Sequence, residues 1–392
     1  MPLRPPAGFI SANYDPLKVP DAPTIGTATG GDAQASVAFT APSNVGGSAI
    51  SAYYAVSNPG QITSSGASSP VTVTGLTNGT SYTFTVWALN TYGPSPYSAA
   101  SGSVSPAAAR GLFGGGNDIG TNTNVISYVA IATTGNAIDF GDLTVTREQL
   151  SSCASSTRGL WASGWTGSAN VNVIDYVTIS AAGNAADFGD LSTATSNQYS
   201  ACSSDTRGLI KSSNSQIQYV TIATTGNGTN FGTLTLCSDG AACSSPTRGV
   251  FALGDASGTI SSSMQYVTIA TTGNGVSFGN LTVARSGLTA CSSSTRGIFA
   301  GGTTDGVTLV NVIDYITIAS TGNATDFGDL TGNKKSMGGC SSTTRGLFGG
   351  SGAYSNNIDY ITIASTGNAT NFGQLTIRVA RLAACSNAHG GL

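Results

Sequence analysis

Charge is what this sequence has least of. Of its 392 residues only 8% are Asp, Glu, Lys or Arg, and the net charge is −3; ordinary soluble domains carry about 25%. Surfaces that grip phosphate backbones concentrate Lys and Arg, so nucleic acid is not an expected partner. Histidine is almost missing: His389 is the single one, which removes metal sites built on several imidazoles and leaves a Ser–His–Asp arrangement only that one residue to use. No apolar run reaches the roughly 18 residues that a membrane span needs, so no membrane insertion is expected. Met1 is followed by PLRPPAGFISANYDP, which lacks a hydrophobic signal core, and no secretory route is expected from it.

Cysteine is scarce and regularly placed. Six of the seven recur singly, at Cys153, Cys202, Cys243, Cys291, Cys340 and Cys385, and Cys237 is extra. Equivalent positions in successive copies of a propeller or solenoid lie farther apart than the ~7 Å between Cα atoms that a disulfide tolerates. There is no CxxC pair to start a metal site. The six are expected to be small, buried, apolar residues suited to a reducing compartment, and no cofactor is expected.

The polar remainder alternates with Val, Ile, Phe and Tyr, which speaks for strands rather than disorder. The sequence divides into three. Residues 1–20 are a Pro-rich arm whose Arg4, Phe9, Ile10, Tyr14 and Leu17 cannot bury themselves in so short a stretch. They are expected either to stay disordered or to dock on a partner. Residues 21–106 hold short alternating strands between Gly, Asn and Pro turns, such as ASVAFTAP with Val37 and Phe39 inward, the pattern of a β-sandwich. Leu76, Gly79, Tyr82, Phe84, Val86 and Ala88 stand in a strand pair that resembles the fibronectin type III family. The resemblance implies a tyrosine corner at Tyr82 and a spacer or presenting role; Phe39 stands where many members have Trp.

Residues 107–392 repeat. The dipeptide RG recurs at Arg110, Arg158, Arg207, Arg248, Arg296 and Arg345, in steps of 48, 49, 41, 48 and 49 residues. Strand-patterned periods of about 40–50 indicate propeller blades. From the Tyr of DY, QY or, in the first copy, SY to the Asn of GN the count is 8 in all six copies, and from that Asn to the Phe of FG it is 4. A fixed count through Thr-Gly-Asn is a hairpin whose turn sets register. Four strands, a to d, are predicted per copy; in the fifth they fall near 288–292, 297–301, 312–319 and 324–330. Ile313 and Tyr315 are expected on one face and Val312, Ile316 and Ile318 on the other. The first copy starts with strand b, and TIRVARLAACSNAHGGL supplies a strand a with nothing after it. The two fragments predict a ring of six closed by the last strand. The fold expected is therefore all-β, a sandwich followed by a six-bladed propeller. The Gly-rich ends of strand b (LFGGG, IFAGG, LFGGS) followed by Tyr and an aromatic resemble kelch-like propellers, with Phe in place of Trp and a longer gap.

Variation points to function. The count from the RG Arg to the Tyr runs 18, 18, 12, 18, 19 and 15, whereas Cys to Arg is always five. The b–c and d–a connections share one face and vary, and a–b and c–d share the other and do not. The sandwich would join at the start of strand b, on the invariant side, leaving variable loops free to meet a ligand. Trp165 and Tyr354 are candidate sugar-stacking aromatics there, with Lys334 and Lys335 as candidate ligand contacts, read otherwise as a solvated loop. The Arg of RG, present in every copy, is expected to be structural, pairing with backbone carbonyls or with Asp residues such as Asp175 and Asp314. No enzyme is expected, since the Asp residues of DFGD recur in only three copies and in a structural place.

The arm, the fibronectin-like module and the TRGLFGGG…NVIDY repeats together resemble virion-associated proteins of tailed phages, notably of marine bacteria. That resemblance implies a virion protein assembled in a bacterial cytoplasm, docked to other virion proteins through its arm. A tail fibre or appendage contacting a host glycan or receptor is expected first, a head decoration or spike without ligand second, and a bacterial surface lectin third.

Overall fold

The computed structural model describes residues 17–196, 200–256 and 258–392. Arg4, Phe9, Ile10 and Tyr14 lie outside the described residues, and Leu17, the first described, is exposed. The described secondary structure is β throughout. No helix among the described residues is long and apolar enough to cross a membrane. The chain separates into two compact units, 1–108 and 109–392.

In the first unit, strands Thr24–Gly31, Gln34–Thr40 and Val71–Thr74 form one sheet, and Thr63–Gly66, Ala52–Asn58, Thr83–Asn90 and Gly93–Pro94 form the other. Alternation does the sorting. Along Thr83–Asn90 every second side chain, including Phe84, Val86 and Ala88, is buried, in one cluster with Val37 and Phe39 of the other sheet and Tyr53 of its own. Trp87 takes the opposite face and stacks on Tyr54 with centroids 4.0 Å apart. Tyr82 reaches back so that its hydroxyl accepts from the Thr77 amide at 3.0 Å, the expected corner. The unit continues a little past the expected boundary, since the Ala107 amide donates to Gly31 O.

The second unit contains six four-stranded antiparallel sheets. In the fifth, strands a to d are Thr289–Ser292, Arg296–Ala300, Val312–Thr317 and Thr325–Asp329. In the first, Ala383–Ser386 serves as strand a, pairing antiparallel with Arg110–Gly114 through Cys385 opposite Leu112. Each a strand touches that of the next sheet, from Ser151–Ala154 through Ala201–Ser203, Ala241–Ser244, Thr289–Ser292 and Gly338–Ser341 to Ala383–Ser386, which also touches Ser151–Ala154. Apolar clusters lie between neighbouring sheets: Ile313 and Tyr315 pack with Phe348 and Ile361 of the sixth sheet, and Ile316 and Ile318 pack with Phe278 and Leu281 of the fourth. Burying an Ile or Leu side chain contributes roughly 1.5–3 kcal/mol, so these clusters carry much of the unit's stability.

The repeated motifs are joints between sheets. Each RG arginine lies over the Tyr of its own sheet, 4.4 Å from the centroid for Arg296 and Tyr315, and donates to a carbonyl of the next sheet, Arg296 Nη1 to Ile363 O at 2.8 Å. The series returns on itself when Arg345 donates to Ile131 O. The Tyr in turn meets the Phe of FG edge-on, with Tyr315 and Phe327 centroids 6.1 Å apart. The RG glycine makes room for the cysteine of the preceding sheet: a Cβ at Gly297 would stand 2.5 Å from Cys243 Sγ. All seven cysteines are buried and free, and burial pushes the Cys153 thiol up to about 12. The Asn of GN accepts from the neighbouring sheet, as Asn368 Oδ1 does from the Asp329 amide at 3.0 Å.

Asp175 and Asp314 do not pair with the RG arginines. Asp314 is fully buried, accepts from Thr282 Oγ1 at 2.5 Å and pairs with Arg285 at 2.9 Å; Asp175 does the same with Thr144 and Arg147. A guanidinium already resting on a Tyr ring and a carbonyl is not free to turn inward, so a second cation does it. Lys334 belongs to this set as well. It is 7% exposed and its Nζ lies 2.8 Å from Asp359 Oδ2, so it is a buried ion-pair partner rather than a solvated loop residue.

A candidate ligand site where the variable loops converge

Strand directions place the b–c and d–a loops at one end of the sheets, and there a cavity of about 340 Å3 opens. Its lining draws on several sheets: Gln149, Asp239, Asp255, Asp305, Lys335 and Arg381 all contribute. In a chain with 8% charged residues, five charged side chains at one cavity form a marked concentration.

The floor is set by backbone. Four residues before each repeat cysteine stand Gln149, Asp239, Gly287, Ser336 and Arg381, and all five have left-handed φ, between 52° and 63°. Their amides join hand to hand: Gln149 N donates to Arg381 O, Arg381 N to Ser336 O, Ser336 N to Gly287 O and Gly287 N to Asp239 O, at 2.7–2.9 Å. The equivalent Gln198 lies outside the described residues. Left-handed conformations are costly for residues other than Gly and cluster at functional sites. Here the amide chain over-determines them, and side chains of different chemistry are held around one opening.

The charges are unequally satisfied. Arg381 Nη1 pairs with Glu148 Oε2 at 3.1 Å, and Lys335 Nζ donates to Gly306 O at 2.9 Å. Asp305 accepts from the Thr308 hydroxyl and from the Thr308 and Val307 amides, which lowers its carboxyl to about 2. Asp255 Oδ1 accepts from the Gly258 amide at 2.6 Å. No hydrogen-bond donor among the described residues reaches the Asp239 carboxylate. Burial, then Asp255, push its carboxyl above the usual range, against Lys211, Lys335 and Arg381. A molecule offering hydroxyl or amino donors would find an acceptor in Asp239, and Arg381 and Lys335 offer donors in return. No group of three or more His, Cys, Asp or Glu among the described residues could hold a metal ion.

Of the four ligand contacts expected from sequence, Lys335 lines this cavity and Lys334 is turned into the ion pair below it. Tyr354 is 38% exposed, with φ of 55°, two residues beyond the lining Gly352. Trp165 is half-buried in the b–c loop of the second sheet, its backbone exchanging hydrogen bonds with Glu148 beside Gln149. Gln149, Asp239, Asp255, Asp305 and Arg381 were not singled out by sequence reasoning. Counted back from the cysteine, the fourth residue changes chemistry from copy to copy, but the residue before it, among them Glu148, Ser238, Lys335 and Ala380, varies as much, so the sequence carried no signal that set the fourth apart.

Comparison with known proteins matches residues 21–103 to the fibronectin type III domain, and the sandwich of the first unit is such a domain. No curated protein matches the chain.

Proposed function

We propose that this chain is a structural protein of a tailed-phage virion, a fibre or other appendage, whose second unit is a six-bladed, kelch-like β-propeller presenting a binding face rather than an enzyme active site. The N-terminal arm anchors it to other virion proteins, and the converging b–c and d–a loops receive a saccharide of the host surface. The cavity at those loops carries the reading. It is polar, it holds donors and acceptors together, and no donor among the described residues reaches Asp239, to which a sugar hydroxyl or amine would supply one. Exposed Tyr354 nearby offers the aromatic face on which sugar rings pack. The return of the a-strand contacts from Ala383–Ser386 to Ser151–Ala154 supports the six-bladed arrangement, since it leaves no inner strand without two neighbours.

The test is binding of the full chain to purified capsular polysaccharide and lipopolysaccharide of a host bacterium, with Asp239→Asn and Arg381→Ala beside the parent. Binding that both substitutions weaken at least about tenfold supports the site; binding they leave intact moves it elsewhere. Antibody-labelled particles in electron microscopy separate an appendage from a head decoration.

A further inference from the structure

The residue after each repeat cysteine is Ser203, Ser244, Ser292, Ser341 or Ser386, but Ala154 in the second sheet. Each serine donates its hydroxyl to the equivalent carbonyl of the preceding sheet: Ser203 to Ala154 O at 2.6 Å, Ser244 to Ser203 O at 2.8 Å, and so on to Ser386, which donates to Ser341 O at 2.6 Å. Ala154 has no hydroxyl for Ser386, so the ladder breaks there.

His389 lies at the break. Its Nε2 is 2.9 Å from Ala154 O and 3.3 Å from Ser203 Oγ, and its Nδ1 accepts from the Gly391 amide at 3.0 Å. A carbonyl only accepts, so Nε2 carries the hydrogen; a donor aimed at Nδ1 requires a bare nitrogen. The contacts therefore specify a neutral imidazole in one tautomer. A second proton would face the Gly391 N–H and remove that bond.

The segment around His389 is wedged across the ends of several sheets. Asn387 Oδ1 accepts from the Arg110 amide in the first sheet at 2.8 Å. A Cβ at Gly390 would stand 2.1 Å from Ser293 O in the fifth sheet, and one at Gly391 would stand 1.7 Å from Ser203 O in the third. Behind the segment is a cavity of about 50 Å3 lined by His389 and by cysteines and serines of all six sheets. The charged group acting on the imidazole is Asp205, in the a–b turn of the third sheet; burial outweighs it and the Ala154 carbonyl, and keeps the imidazole below its ordinary range. The facing Cys153 and Cys202 thiols are held neutral by burial.

We propose that Asn387–Leu392 is a stopper over this end of the inner strands, its Gly391 amide pinned by neutral His389 and loosened when the imidazole takes a second proton. A neutral buried histidine must charge as acid is added, so the pin weakens as pH falls below about 6.5. It is fully in place above that value.

Nuclear magnetic resonance of the full chain tests this directly, because the one histidine gives one imidazole titration. The expected results are the Nε2–H tautomer at pH 7.5 and protection of the Gly391 amide that falls about tenfold or more as the ring protonates. The amides of Ala383–Cys385 should keep theirs. In His389→Gln, which retains a donor and an acceptor but cannot titrate, Gly391 protection should no longer follow pH. An Nδ1–H tautomer, Gly391 protection unchanged through the titration, or wild-type pH dependence in His389→Gln would each overturn the proposal.

Discussion

Arg147 and Asp175, both fully buried, meet across the first and second sheets at 3.1 Å. Arg147 Nη2 also donates to Trp161 O, while its Nε and Nη1 have no partner among the described residues. A half-satisfied buried cation is tolerable only with its counter-charge present. Replacing Asp175 by Ala should therefore destabilise by about 3–5 kcal/mol, and replacing both Arg147 by Met and Asp175 by Ala should recover most of that. Denaturant melts of the single and double variants check it; additive losses would deny the coupling.

Gly297 faces Cys243 Sγ with no space for a methyl group. Gly297→Ala should cost about 1–3 kcal/mol through overpacking, and a second change, Cys243→Ala, should restore much of it by removing the sulfur. Thermal unfolding of the pair decides; an equal loss with or without the sulfur would mean that backbone conformation, not the sheet contact, demands glycine.

The repeat thiols should be silent in the folded protein. Cys153, with its thiol raised to about 12 by burial, has essentially no thiolate at neutral or mildly alkaline pH. Alkylation should label no repeat cysteine at pH 8 and all of them in denaturant. Fast labelling of any of the six in the native state would contradict the packing.

Asp239 should trade stability for binding. Its carboxyl is raised in the fold, so the folded state prefers the protonated form and loses stability as pH rises from the ordinary carboxylate value through the folded one. Asp239→Asn should then melt higher than the parent at pH 7 and equally at pH 3, where both forms are protonated. A lower melting temperature at pH 7 would show that the carboxylate is needed for folding, not held for a ligand.

Much of the architecture was legible in the sequence. The constant spacings from Cys to Arg, Tyr to Asn and Asn to Phe placed the four strands of the fifth sheet within a residue or two, because a hairpin turn cannot change length without flipping every side chain beyond it. The alternation of Ile313 and Tyr315 against Ile316 and Ile318 identified both apolar faces. Of the two partners expected for the repeated arginine, the backbone carbonyl is the one found, and Asp314 pairs with Arg285 instead. Yet the clue was present: Arg147, Arg285 and Lys334 occur only before sheets whose strand c has Asp ahead of Tyr, whereas Gln218 and Gln265 have no such cation and bond instead to Ser192 and Thr235.

Local sequence alone determined which residues pair along a strand and which face they take, since period and turn chemistry act over a few bonds. Tertiary structure decided what those faces meet. Only the approach of sheets distant in sequence put Cys243 against Gly297, aimed Arg296 at Ile363, gathered Gln149, Asp239, Ser336 and Arg381 around one opening, and brought His389 to Ala154. Such contacts depend on how whole sheets pack, a quantity to which no short stretch of the chain gives access.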